Sequence, residues 1–264
     1  MISFRNFIPL ALAIAIISGC TEDAYEAEYI ERPVNEIYDQ ALAELNAGNY
    51  EKAAVAFDEV ERQHPYSSWA TKAQLMSAYS YYQDDAYDSA IIALERFIQL
   101  HPSNEDIPYA YYLKALCYYE QISDVARDQK MTELALLTLD ELVKRFPKSK
   151  YAKDAKLKLD LTRDHMAGKE MEIGRYYLTQ GHYLAAVNRF KSVVISYQST
   201  THVPEALHRL TEAFVALGIR DEAQKTAAVL GHNFPGSEWY LDSYQLVEGV
   251  LLEPTKEDPW YVLW

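Results

Sequence analysis

The stretch that decides the fold is Gly48–Pro65, GNYEKAAVAFDEVERQHP. A turn signal opens it, and a tyrosine follows at Tyr50. Alanine, phenylalanine and valine then stand at 53, 57 and 60, and a proline closes the stretch at 65. Offsets of four and seven place three side chains on one face of a helix. A small residue at the head of that stripe lets a neighbouring helix approach closely. The proline ends the helix, because it has no N–H to donate and its ring clashes with the preceding turn.

The same register recurs four times. It reads Ala90, Leu94, Phe97, Pro102, then Ala135, Leu139, Leu142, Pro147. It continues as Ala186, Phe190, Val193 with Gln198 in the proline position, and ends as Ala223, Ala227, Leu230, Pro235. Asp85-Ala86-Tyr87 and Gly181-His182-Tyr183 repeat the opening turn and tyrosine. A first helix precedes each turn, as in KAQLMSAYSYYQ and YYLKALCYYEQ. Five matches in one register resemble the tetratricopeptide repeat. The expectation is an all-α chain, a right-handed superhelical solenoid of about five such repeats.

The helix-ending positions lie 37, 45, 51 and 37 residues apart, longer than the usual spacing of about 34. An insertion near Ser123 to Lys130 accounts for the 45-residue step. An additional helix, about Tyr151 to His165, accounts for the 51-residue step. Pro65-Tyr66-Ser67-Ser68-Trp69, Pro147-Lys148-Ser149-Lys150-Tyr151 and Pro235-Gly236-Ser237-Glu238-Trp239 share a serine two after the proline and an aromatic four after. The serine suits a helix cap and the aromatic a packed junction. A last helix from Trp239 to about Glu248 would cap the array.

The N-terminus carries an address. MISFRNFIPLALAIAIISGC has one basic residue, Arg5, then an apolar run from Phe7 to Ile17. That run falls short of the roughly 20 residues a bilayer-spanning helix needs. It reads as a secretory signal. Ile17-Ser18-Gly19-Cys20 resembles the bacterial lipoprotein signal, in which cleavage precedes a cysteine that becomes lipidated. Residues 1–19 are then a signal peptide, and Cys20 carries diacylglycerol and fatty acyl chains, which hold a protein stably where one chain is marginal. Thr21 departs from the aspartate of inner-membrane retention, which favours the outer membrane. Residues 20–33 read as an acidic tether. Cys117, within LKALCYYE, reads as a buried small hydrophobe.

Composition narrows function by exclusion. The 264 residues hold 39 acidic and 25 basic side chains, a formal charge of −14, which argues against phosphate-based nucleic-acid binding. Nine glycines disfavour β-rich and phosphate-loop folds, and two cysteines cannot build a disulfide scaffold. Charge is segregated: residues 20–143 carry −16, residues 144–175 carry +5 and residues 176–264 carry −4. The basic segment KRFPKSKYAKDAKLK suits either an acidic partner or plain solvation. The histidines show no HxxxH or HExxH spacing, and G-x-S-x-G and phosphate-loop motifs are missing, so neither a catalytic nor a metal site is expected. Acidic pairs Asp84-Asp85 and Asp221-Glu222 are expected in inter-helix turns. The tail EPTKEDPWYVLW, residues 253–264, ends in aromatics. Folding back on the last repeat and docking on a partner both remain open for it.

In tetratricopeptide folds the first helix of each pair lines a concave groove. That resemblance implies groove positions at Asn35, Tyr38, Lys72, Tyr79, Tyr82, Tyr109, Tyr112 and Tyr119. A tyrosine-lined groove suits an extended peptide, rings supplying area and hydroxyls supplying hydrogen bonds. Packing between repeats is the competing role for each ring.

HPYSSWATKAQLMSAYSYYQ, FIQLHPSNEDIPYAYYLKAL, ISDVARDQ, LVKRFPKSKYAKDA and GRYYLTQGHYLAAVNRF go beyond generic repeat consensus. With the lipoprotein signal they resemble the BamD (ComL-type) family of outer-membrane assembly lipoproteins, through about residue 248. The resemblance implies a non-enzymatic part in the β-barrel assembly machine, at the periplasmic face of the outer membrane. Repeats 1–3, residues 34–150, would receive unfolded outer-membrane proteins. Residues 151–252 (linking helix, repeats 4–5, capping helix) would dock on the barrel-forming subunit, beside accessory Bam lipoproteins. Arg189, in AAVNRF, matches the family's arginine that contacts that subunit; a local ion pair is the alternative. Gln198 and the aromatic tail depart from the family pattern. Another periplasmic repeat scaffold, associated with peptidoglycan enzymes or the Tol–Pal system, is the alternative function.

Overall fold

The computed structural model describes residues 31–249. The chain divides into Met1–Pro33 and Val34–Trp264. The signal segment, Cys20 and the tail from 250 onward lie outside the described residues.

Eleven helices and no strand occur among the described residues. They are α1 Val34–Asn46, α2 Tyr50–Gln63, α3 Ser68–Gln83, α4 Tyr87–Leu100, α5 Ile107–Tyr119 and α6 Lys130–Arg145. The remainder are α7 Ala152–Thr179, α8 Tyr183–Ser196, α9 Val203–Ala216, α10 Arg220–Asn233 and α11 Glu238–Glu248. Each packs against the next in sequence. The second helices are α2, α4, α6, α8 and α10. On them, the register residues Ala53, Phe57, Val60, Ala90, Leu94, Phe97, Ala135, Leu139, Leu142, Ala186, Phe190, Val193, Ala223, Ala227 and Leu230 are all buried. Each large apolar side chain removed from water contributes about 1.5–3 kcal/mol. This stripe is the main reason the chain is a repeat array.

The turns recur with the same backbone. Gly48, Asp85, Gly181 and Gly218 each sit at positive φ in the middle of a three-residue turn from first to second helix. In each, two N–H groups return to the last turn of the first helix, as in Gly48 to Leu45 and Asn49 to Glu44. This is the double-bonded C-terminal motif that favours glycine. Aspartate, which tolerates the left-handed region better than most residues, replaces it once.

The second helices also end alike. His64, His101, Phe146, Tyr197 and Phe234 donate their N–H groups to Val60, Phe97, Leu142, Val193 and Leu230. Tyr197 precedes Gln198, yet its φ and ψ of −126° and 43° match the other four. The missing proline therefore leaves that junction's geometry intact. Ser67 and Ser237 cap α3 and α11 by accepting from Ala70 and Tyr240. Ser149 does not act as a cap: Tyr151 is the N-cap residue of α7, and the Ser149 hydroxyl is buried without a hydrogen-bond partner.

The sequence reading places a separate helix at about Tyr151 to His165, and there the structure differs. One uninterrupted helix of 28 residues, α7, runs from Ala152 to Thr179. No proline or turn motif interrupts this stretch, so nothing breaks its hydrogen-bond ladder. Its first half buries Ala155 and Leu159 with the core of repeats 2 and 3. Its second half buries Ala167 and Met171 with the core of repeats 4 and 5. Gly174 lets α8 approach: a Cβ there would lie 2.4 Å from the Phe190 ring. No described helix is long and apolar enough to cross a membrane.

Candidate functional site

The first helices α1, α3 and α5 touch one another in succession, as do α7 and α9, whereas no contact of comparable extent joins the second helices. The first helices therefore form the inner side of the array.

On that side the structure gathers tyrosines. Tyr79 and Tyr82 stand one turn apart on α3, and Tyr109 and Tyr112 one turn apart on α5. Tyr151 enters from the start of α7, 5.3 Å from Tyr109 and stacked on Tyr112 at 5.1 Å with 20° between the rings. Tyr87, at the start of α4, lies 6.0 Å from Tyr82. Tyr119 lies two turns below Tyr112, with the Lys158 ammonium 5.0 Å from its ring centre. These rings are half-buried against the core of repeats 2 and 3.

Their chemistry is that of neutral hydroxyls. Burial, with neighbouring tyrosines adding to it, pushes Tyr109 above the usual phenol range. Burial raises Tyr82 as well. Tyr112 is raised by burial and then by its hydrogen bond, 2.6 Å from hydroxyl to Asp154 Oδ2. Tyr87 is pushed up to about 12 by desolvation and by donating to Asp85. At neutral pH these hydroxyls stay protonated; Tyr87 and Tyr112 already give their protons to Asp85 and Asp154, which leaves those two oxygens as acceptors. Asp154 and Lys158, 3.7 Å apart, form a charged rim.

The groove positions inferred from sequence therefore divide. Tyr79, Tyr82, Tyr109, Tyr112 and Tyr119 share the face described above. Tyr38 is buried, with its ring edge-on to Phe57 at 5.4 Å and Trp69 at 4.8 Å, and belongs to the core of the first repeat. Lys72 is exposed beside Trp69, 6.0 Å from the ring, and Asn35 is exposed on α1. Two members of the tyrosine cluster escaped the sequence reading. In sequence, Tyr151 reads as a junction residue and Tyr87 as a turn residue. The signal for both was positional, since each opens a helix directly beside the groove face.

The outer side is stitched by polar side chains across repeats. Asp58 accepts from Ser77 at 2.5 Å and Tyr81 at 2.9 Å. Glu61 accepts from Gln74 at 2.7 Å and pairs with Arg96. In the basic segment Lys144 pairs with Asp140, Arg145 with Glu141 and Lys158 with Asp154, and beyond it Arg163 pairs with Asp140 and Arg175 with Glu205, so part of the positive charge of residues 144–175 is balanced within the chain. Arg189, on α8, pairs with Glu170 of α7 at 3.2 Å while keeping part of its side chain in solvent. Asp84-Asp85 occupies the α3–α4 turn as expected, whereas Asp221-Glu222 forms the first turn of α10, where acidic groups suit the helix dipole. Cys117 is buried, and desolvation pushes its thiol up to about 12.

Paired helices in a constant register, with an inner face of side chains, define a tetratricopeptide-type repeat protein. Residues 30–230 match the YfiO family model, described as outer membrane lipoprotein. The chain is 48% identical over 252 residues to the outer membrane protein assembly factor BamD of Caulobacter vibrioides, spanning 95% of this chain and 83% of that one. It is 44% identical to BamD of Rickettsia prowazekii, spanning 90% and 94%. It is 36% identical to BamD of Neisseria meningitidis, spanning 88% and 87%. The chain belongs to the BamD family of outer-membrane lipoproteins.

Proposed function

We propose that this chain is a non-enzymatic lipoprotein component of the outer-membrane β-barrel assembly machine. In this reading it sits at the periplasmic face of the outer membrane, anchored by acyl chains on Cys20. Repeats 1–3 receive unfolded barrel proteins, and the segment from α7 onward docks on the barrel-forming subunit, with accessory Bam lipoproteins alongside.

The observation that carries the reading is the row formed by Tyr79, Tyr82, Tyr109, Tyr112 and Tyr151 on the inner side. A barrel strand in transit has unpaired backbone groups and apolar side chains at alternate positions. Half-buried phenols offer both ring area and hydroxyls that donate or accept. Because the hydroxyls are neutral, contact with such a strand does not require matched charge. Arg189 is assigned to the subunit interface. Its exposed part is available to a partner carboxylate, and Glu170 holds the guanidinium in place beforehand.

Affinity purification from detergent-solubilised membranes tests the assignment. The barrel-forming subunit is expected to co-purify. Recovery of peptidoglycan enzymes or Tol–Pal components in its place would move the chain to a different envelope role.

A further inference from the structure

The first half of α7 packs with the tyrosine-bearing repeats. Its Ala155 and Leu159 are buried in the core of repeats 2 and 3. Three contacts tie it to α5: the stack of Tyr112 on Tyr151, the hydrogen bond from Tyr112 to Asp154, and Lys158 over the Tyr119 ring. Helix α7 is therefore the next wall of the tyrosine row.

That wall exposes Leu157 and Leu161, at 61% and 53%. They stand one turn apart, and no other two exposed large apolar side chains among the described residues do so on one helix. Leu161 borders a cavity of about 400 Å³, lined from the end of α5 and the loop after it by Tyr119, Ile122 and Ser123. Tyr119, Ile122 and Leu161 supply apolar area there, and the Glu120 carboxylate and Ser123 hydroxyl can accept from N–H groups. Charge on this stretch is nearly balanced, with Lys153, Lys156 and Lys158 interspersed with Asp154, Asp160 and Asp164. A strongly charged occupant gains little from such a face, whereas a strand with apolar side chains at alternate positions gains burial. Four helix residues rise about 6 Å, close to the roughly 6.6–6.8 Å between alternate residues of a strand.

We propose that the strand-binding surface continues from the tyrosine row along the first half of α7. Leu157 and Leu161 then seat two same-face apolar side chains of a barrel strand, the second of them in the α5–α7 cavity. This assignment rests on repeats 1–3 receiving barrel strands, and it moves the boundary of that role. Helix α7 up to His165 serves the strand, and the docking surface for the barrel-forming subunit begins beyond it.

Two measurements on the full chain test this, with a labelled peptide carrying the C-terminal strand of an outer-membrane barrel protein as the probe. Leu157→Ser with Leu161→Ser should weaken peptide binding about fivefold or more, with helix content and recovery of the barrel-forming subunit unchanged. Both side chains are exposed, so the fold tolerates the change. A photoreactive residue in place of Leu161 should cross-link the peptide about fivefold more than one in place of Leu137, because a docked segment is concentrated only at its own site. Leu137 is as exposed, at 65%, but lies on α6. Unchanged affinity in the leucine variant would overturn the proposal, as would equal cross-linking from the two positions. Lost subunit recovery with peptide binding intact would also overturn it and give this face to the subunit. Tyr79→Ala with Tyr82→Ala, measured alongside, tells the failures apart. Weakening there but not in the leucine variant ends the strand site at Tyr151, whereas no binding to the intact chain removes both the row and its extension.

Discussion

The Tyr112 hydroxyl donates a 2.6 Å hydrogen bond to Asp154, 42 positions further along the chain, while its ring stacks on Tyr151. One side chain thus ties α5 to α7 and shapes the inner face at the same place. Both groups are partly solvated, so the bond is worth about 1 kcal/mol or less. Tyr112→Phe keeps the ring and removes the bond. Stability in urea should fall by about that amount with the m-value unchanged, whereas Tyr112→Ala should cost more through lost packing.

Gly174 faces the ring of Phe190, which is fully buried. The ring has no room to retreat from an added methyl group. Gly174→Ala should destabilise the chain by about 1–3 kcal/mol, although alanine favours helix. Thermal unfolding measures this. Gly48→Ala, with open space around its Cβ, should cost only the backbone strain of its positive φ.

His208 is buried, with Nδ1 2.9 Å from the Ser243 hydroxyl and its ring 5.2 Å from Trp239, and so joins α9 to α11. Burial lowers its pKa below the usual 6.5, and Arg209 lowers it further against Glu212, Asp242 and Glu205. The folded state therefore favours neutral imidazole. That contribution is fully present above about pH 6.5 and is lost as pH falls through the lowered folded value. The protection factors of α11 amides, which discount the intrinsic slowing of exchange in acid, should fall between pH 7 and pH 5, and His208→Gln should flatten the dependence.

Arg189 and Glu170 make opposite demands on a partner assay. Arg189→Glu places two carboxylates together and removes the cation, so recovery of the barrel-forming subunit should drop severalfold. Glu170→Gln keeps the cation and should leave recovery near normal. Unaltered recovery with Arg189→Glu, at normal folding, would remove Arg189 from the interface.

The repeat architecture was legible because its cause is periodic. Alanine, aromatic and aliphatic side chains at fixed offsets bury one helix face, and the same spacing places every second helix. The boundary between the expected linking helix and repeat 4 was not legible. Continuity of α7 rests on the absence of a break, and Gly168 and Gly174 resemble breakers until Phe190 is seen packed against the latter. Tyr38 and Tyr79 are both assigned to the groove face from sequence, yet Tyr38 is enclosed by Phe57 and Trp69 while Tyr79 lies on the half-open face. Sequence spacing gives the face of a helix, not how completely its neighbours cover it. For the same reason the Arg189–Glu170 pair, 19 positions apart on two helices, had no local signature.

In the proposed function the tyrosine row holds a barrel strand in transit. A labelled peptide with the C-terminal strand of an outer-membrane barrel protein should bind the intact chain. Tyr79→Ala with Tyr82→Ala should weaken binding and photocross-linking of that peptide about tenfold or more, at unchanged helix content, since truncating a central aromatic costs about 1–2 kcal/mol or more. Unchanged affinity and cross-linking in that double variant would remove the tyrosine row from the strand-binding site.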